Sequence, residues 1–223
     1  MSHISTHPWN LTPKEAIKLQ KSLRSRIRFE KLRKEPKLIA GCDISDNKRS
    51  PTIYAGIVVL RYPELTIIEE ATAITGTSFP YIPGLLSFRE SPAVLEAWKT
   101  LHTTPDLLIV DGQGYAHPRR FGIAGHLGLL LDVPTIGCAK SVLTGRYEEP
   151  NKEKGSTSPL IDKEETIGMA VRTRRNVRPV FVSAGHRITV GEAVNIILQS
   201  TTKYRLPEPT RRAHMLVNSI RLK

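Results

Sequence analysis

LIAGCDIS (residues 38–45), YAGIVVLRY (54–62) and LTIIEEATAI (65–74) are three apolar, β-branched runs in close succession, parted only by the turn-rich DNKRSP and the short YPE. Runs of this length suit strands, and such short connections join antiparallel neighbours, so the stretch reads as a meander. Downstream, DLLIVD (106–111) is a continuous apolar strand. GIAGHLGLLL (122–131) then reads as a helix and TIGC (135–138) as a short buried strand, the alternation of a partly parallel sheet. Three antiparallel strands followed by alternating helices and strands fit an α/β fold of the ribonuclease-H-like kind, a mixed central sheet flanked by helices. A doubly wound fold would be parallel from its first strand.

The remaining elements are fitted around that frame. Thr12, Pro13 and Glu15 spell an N-cap, a preset first turn and a capping-box acid ahead of Ala16, Leu19, Leu23 and Ile27, an amphipathic helix whose other face carries Lys18, Lys21, Arg24, Arg26 and Arg28. TGTSFPYIPGLLSFRE (75–90) reads as a Gly/Pro-rich loop, and Ser91-Pro92 as the opening of a helix through Val94, Leu95 and Trp98. Glu148 to Glu165 is polar and is expected to be a mobile surface loop without chemistry. TIGMAVRT and PVFVSA flank a basic turn, RRNVR; Thr189 and Glu192 cap a further helix, and a last helix is expected from about Thr210.

With 223 residues, 39% of them hydrophobic, the chain suits one compact domain spanning 1–223. Its 33 Lys and Arg against 21 Asp and Glu leave a formal charge of +12, which favours polyanionic partners and nucleic acid above all. The start MSHISTHPWN lacks the layout of a secretory signal and no stretch approaches a membrane helix, so no membrane partner is expected and the setting is read as cytoplasmic. Cys42 and Cys138 have no metal-type spacing, which argues against zinc and for reduced core thiols. Nothing advertises an apolar interface stripe, so a monomer is expected.

Asp43 and Asp111 each sit on an apolar strand, and in this strand order the first and fourth strands are neighbours. Two facing carboxylates repel each other unless cations neutralise them, and hard oxygen donors favour Mg²⁺ or Mn²⁺. Each acid taken alone also has a bland reading: a strand end for Asp43, an ion pair for Glu90, an Asx-turn with Gly112 for Asp111.

GCDIS (41–45), FPYIPGLLSFRE (79–90), IVDGQGYAHPRR (109–120) and IGCAKS (136–141) together closely resemble the endonuclease V family, and the resemblance runs from about the first helix to PTRRAH (209–214). It implies a ribonuclease-H-like fold and a Mg²⁺-dependent nuclease that recognises deaminated adenine (inosine) in DNA and cuts the second phosphodiester on its 3′ side, leaving 3′-hydroxyl and 5′-phosphate ends; Mn²⁺ is expected to substitute. It implies Asp43, Glu90 and Asp111 as metal ligands with His214 completing the set, and Lys140 and His117 as further active-site groups. Tyr81, Ile82, Pro83 and Gly84 match the family's wedge, an aromatic and rigid apolar group suited to replacing stacking when a base is expelled. A base pocket is implied around Gly84, Leu86, Gly112 and Ile123, with Arg119 and Arg120 as phosphate contacts. His126 and Trp98 read as core residues and His186 as a structural hydrogen-bonding group. Two alternatives stay open: an inosine-specific ribonuclease, since the sugar is not legible in residue types, and a damaged-strand binding protein that does not cut.

Overall fold

The computed structural model describes residues 7–46 and 51–222. The expected turn at DNKRSP falls largely on residues 47–50 and the polar start largely on residues 1–6, both outside the described residues. In chain order the elements are α1 (Pro13–Arg24), β1 (Leu38–Asp46), β2 (Thr52–Arg61), β3 (Thr66–Gly76), α2 (Leu86–Lys99), β4 (Leu107–Val110), α3 (Ile123–Leu131), β5 (Thr135–Ala139), β6 (Thr157–Asp162), β7 (Glu165–Val171), β8 (Val180–His186), α4 (Val190–Gln199) and α5 (Glu208–Arg221). The described strands form one mixed sheet in the order β3-β2-β1-β4-β5-β8-β7-β6. The meander pairs antiparallel, β1 runs parallel to β4 and β4 to β5, and β8 returns antiparallel to β5. This is the ribonuclease-H-like arrangement with a mixed sheet between helices.

Side-chain alternation along the strands sorts the core into two layers. Ala40, Cys42, Leu108 and Val110 pack against Val94, Leu127 and Leu131 of α2 and α3. Ile39, Leu107, Ile109, Ile136 and Cys138 face the other way, with Ile196 and Ile197 of α4 and Ala213 of α5. Asp43 shares the parity of Ile39 and Asp111 that of Ile109, so both acids fall on the α5 side. Gly41 is what lets α5 approach: a Cβ there would stand 2.1 Å from the Pro209 carbonyl carbon.

The main differences of boundary begin with α1, which ends at Arg24 and leaves Arg26, Ile27 and Arg28 beyond it. α2 begins at Leu86 rather than at Ser91, and Pro92 lies inside it. Leu85, the N-cap, makes no side-chain cap hydrogen bond, so the sequence signal that usually marks a start is missing, and Pro92 forfeits one helical N–H without ending the helix. Residues 148–165 contain the edge strand β6: Leu160 is fully buried among Ile167, Ala170 and Phe181, and Pro159 is tolerated because one edge of the strand has no ladder to donate to. α5 starts two residues before Thr210, at Glu208 behind Pro207. Both capping boxes form as expected, at Thr12/Glu15 and Thr189/Glu192. Cys42 and Cys138 are free and buried, and no described helix is long and apolar enough to cross a membrane.

Candidate active site

A cavity of about 740 Å³ opens where the carboxyl ends of β1, β4 and β5 meet α2 and α5. Asp43 comes from β1, Glu90 from the second turn of α2, Asp111 from the residue after β4, Lys140 from the residue after β5 and His214 from α5; all five line it. The register places Cys42 opposite Val110, and the Asp111 N–H donates to the Cys42 carbonyl at 3.2 Å, so the two aspartates are side by side on one sheet face. Because Glu90 is helical and not in a loop, Leu86, Ser87 and Glu90 form one face turned to the cavity.

The electrostatics show strain between like charges. Desolvation raises the Asp43 carboxyl above its usual value, the Asp111 charge adds to the rise, and the His214 hydrogen bond and Lys140 oppose it. Glu90 is pushed up to about 8, by desolvation first and then by Asp46, with Arg89 opposing and Asp43 and Asp111 adding. Lys140 donates to Asp111 Oδ2, and His214 Nδ1 lies 2.8 Å from Asp43 Oδ2. Among the described residues no three His, Cys, Asp or Glu side chains are gathered into a ready coordination shell; Asp111 is paired with Lys140 and Asp43 with His214. The donor chemistry nonetheless fits a hard divalent cation: oxygen-rich, anionic, mutually repelling and free of thiolate.

The loop expected to act as a wedge is anchored from beneath. Tyr81, Pro83 and Gly84 line the cavity, whereas Ile82 packs with Phe79, Leu85 and Phe88 in an apolar cluster under the loop. Gly84 has φ +81°, a left-handed conformation, and a Cβ there would meet Arg119 Nη2 at 2.8 Å. Its carbonyl accepts three hydrogen bonds: from Gln20 Nε2 at 3.1 Å, from His117 Nε2 at 3.1 Å and from Arg119 Nη2 at 2.6 Å. His117 Nδ1 accepts the Arg119 backbone N–H at 3.1 Å, which puts the neutral ring's proton on Nε2; burial, and then Arg119, lower its pKa to about 4. His117 thus lines the cavity as a neutral prop for Gly84.

Gly84, Leu86, Gly112 and Ile123 all line the cavity, and a Cβ on Gly112 would stand 2.6 Å from Ile123 Cγ2, so the two approach closely. Arg119 and Arg120 are not among the lining residues. Arg120 is buried, with Nη1 2.8 Å from Asp162 and Nε 2.7 Å from Glu165, so the expected phosphate contact is displaced by a structural ion pair joining the loop after β4 to the β6–β7 hairpin. His126 is fully buried, with Nδ1 3.1 Å from Ser87 Oγ and Nε2 2.7 Å from His7 Nε2. His7 Nδ1 faces the Pro8 carbonyl at 2.8 Å, an obligatory acceptor, so with both rings neutral the donors run from Ser87 to His126 to His7. Trp98 belongs to the core, as expected.

Sequence reasoning missed Gln20, Ser87, Asn218 and Arg221, all of which line the cavity. Gln20 had a signal: a polar residue on the stripe of Ala16 and Leu23. Asn218 and Arg221 follow His214 at helical spacing and share its face, legible only once His214 is placed on a helix.

The endonuclease V family model matches residues 21–215 of this chain. An endonuclease V from Gloeobacter violaceus is 49% identical over 223 residues, covering 99% of this chain and 91% of its own. The crystal structure of an endonuclease V from Streptomyces avermitilis superposes with a TM-score of 0.92 at 42% identity, covering 100% of this chain and 98% of that one. That of the Ciona intestinalis enzyme, in complex with a 24mer DNA containing an inosine followed by a ribo-adenosine, superposes with a TM-score of 0.80 at 28% identity, covering 94% and 97%.

Proposed function

From the premise that this chain belongs to the endonuclease V family, we propose that it is a repair nuclease that recognises inosine in DNA and hydrolyses the second phosphodiester on its 3′ side, leaving 3′-hydroxyl and 5′-phosphate ends. The observation that carries the proposal is one cavity lined by three acids, a lysine and a histidine at one place and by the Tyr81-Pro83-Gly84 loop at another.

Asp43, Glu90, Asp111 and His214 would hold Mg²⁺, or Mn²⁺ in its stead. When bound, the metal supplies a Lewis acid for the phosphoryl oxygens and an activated water. Lys140, beside Asp111 at the cavity edge, orients that water and stabilises charge developing on the phosphate. Tyr81 and Pro83 fill the gap left by the expelled base, and the base enters beside Leu86, Gly112 and Ile123. Hypoxanthine offers O6 as acceptor and N1–H as donor. Fixed backbone groups of the opposite sense pair with it and are left unpaired by adenine, at a cost of about 1–3 kcal/mol each. The Gly84 carbonyl is not one of these groups, because it already takes three donors.

A second reading, cleavage of inosine-containing RNA, is favoured by one observation: the nucleic acid bound to the Ciona intestinalis relative carries a ribo-adenosine after its inosine. End-labelled DNA and RNA substrates with and without a single inosine, incubated with Mg²⁺, Mn²⁺ or chelator, test both. The expected result is a cut one nucleotide beyond inosine that is lost with chelator and in Asp43→Ala. Cutting that ignores inosine, or that survives both losses, overturns the proposal.

A further inference from the structure

His214 and Asn218 stand one turn apart on α5, and their contact fixes where the imidazole carries its proton. Asn218 Nδ2 donates to His214 Nε2 at 3.0 Å, so Nε2 presents its lone pair to the amide and the neutral ring's proton is on Nδ1. Nδ1–H in turn donates to Asp43 Oδ2 at 2.8 Å. Both ring nitrogens are satisfied, and neither has a lone pair left for a cation. A histidine that ligates a metal needs the opposite arrangement: a bare nitrogen on the metal, and an N–H given to an acceptor behind it. The Asn218 amide carries that acceptor half a turn away. With Oδ1 in the place of Nδ2, the proton belongs on Nε2 and the Nδ1 lone pair is exposed next to Asp43.

We propose that Asn218 is a positioning residue that selects the tautomer of His214: it donates to Nε2 while the ring is paired with Asp43, and accepts from Nε2–H when Nδ1 ligates a divalent cation. The inference rests on the metal-dependent reading above, which makes His214 a ligand. The amide stays within reach because α5 is seated at both ends, by the Pro209 approach to Gly41 and by Arg221 Nη1 donating to Ser45 Oγ at 2.6 Å. An amide is the side chain of this size that serves both states. Aspartate at 218 would hold only the ligating tautomer, and leucine would support neither.

Mn²⁺ alone, titrated by calorimetry into the full chain without nucleic acid, is the probe. Asn218→Asp should bind it several-fold more tightly than Ser219→Asp, which adds the same charge on an exposed neighbour. Asn218→Leu should bind it roughly 10- to 100-fold more weakly than the unaltered protein, the range for losing such a partner. Imidazole ¹⁵N shifts of the metal-free proteins should place the His214 proton on Nδ1 in the unaltered chain and on Nε2 in Asn218→Asp. Equal Mn²⁺ affinities across these variants, or a proton already on Nε2 in the unaltered metal-free chain, overturn the inference. Failure of the unaltered chain to bind Mn²⁺, or full binding by Asp43→Ala, overturns instead the metal-site reading beneath it.

Discussion

His186 closes β8 with its ring 3% exposed, its Nδ1 accepting the Arg28 backbone N–H at 3.3 Å. Burial lowers its pKa from 6.5 to about 4, Asp132 opposing and Arg187 and Arg28 adding to the fall. Above pH 6.5 the ring is neutral folded or unfolded and contributes no pH dependence. As pH falls from 6.5 toward 4, the unfolded chain takes up a proton that the folded one refuses, and stability is lost. His186→Asn keeps an acceptor for Arg28 and removes the titration. In urea unfolding at pH 7 and pH 5, the unaltered chain should lose on the order of 1–2 kcal/mol more than the variant, by the proton linkage of one group over that interval. Equal losses would show that the folded ring takes up its proton as readily as the unfolded one, so that burial does not hold it neutral. At this same scale Asp43 and Asp111 were legible as acids beside apolar strand residues, whereas Gln20 was marked only by its place on an apolar stripe, and nothing in a sequence says which carbonyl a buried amide will meet.

Among the elements, α5 depends most on a single small residue beneath it. Gly41→Ala would set a methyl 2.1 Å from the Pro209 carbonyl carbon, so the helix must lift, carrying His214 and Asn218 away from Asp43. Overpacking of this kind costs about 1–3 kcal/mol. The variant should show that loss in denaturant unfolding together with weakened Mn²⁺ binding, while Gly76→Ala, whose Cβ meets nothing within 4 Å, should change neither. Binding that survives the destabilisation would mean that α5 does not carry the site. The meander and α1 were readable because their patterning and caps agree. α2 was misplaced because its start has no cap while Pro92 imitates one, and β6 was overlooked because an edge strand with Leu160 buried and polar neighbours looks, residue by residue, like a loop.

For the molecule as a whole, the excess of 12 positive charges sets how it meets nucleic acid before any lesion is recognised. Counterion release makes this part of the binding sequence-independent and steep in salt: about six phosphate contacts would lose roughly a thousandfold in affinity between 50 and 200 mM. Binding of plain and inosine-containing duplexes in the presence of Ca²⁺ should therefore fall along parallel lines in a plot of log affinity against log salt, separated by a constant offset. Converging lines would show that lesion recognition is itself electrostatic, contrary to a pocket that reads the base by fixed backbone groups. The fold's outline was legible at this scale because strand order follows from connection lengths. The cavity was not, because it is made by residues from α1, the loop before α2 and α5 that only folding brings together.

The three donors converging on the Gly84 carbonyl bear on how fast such a protein can search. A loop that had to organise itself at each base pair would lose conformational freedom at every encounter and regain it at every departure. Here that freedom is lost once, as the chain folds and Gln20, His117 and Arg119 close on one oxygen. On the wedge reading proposed above, each passing base would meet a shaped surface already in place, and the time spent on an undamaged step would be set by the DNA's own opening and not by the protein's rearrangement.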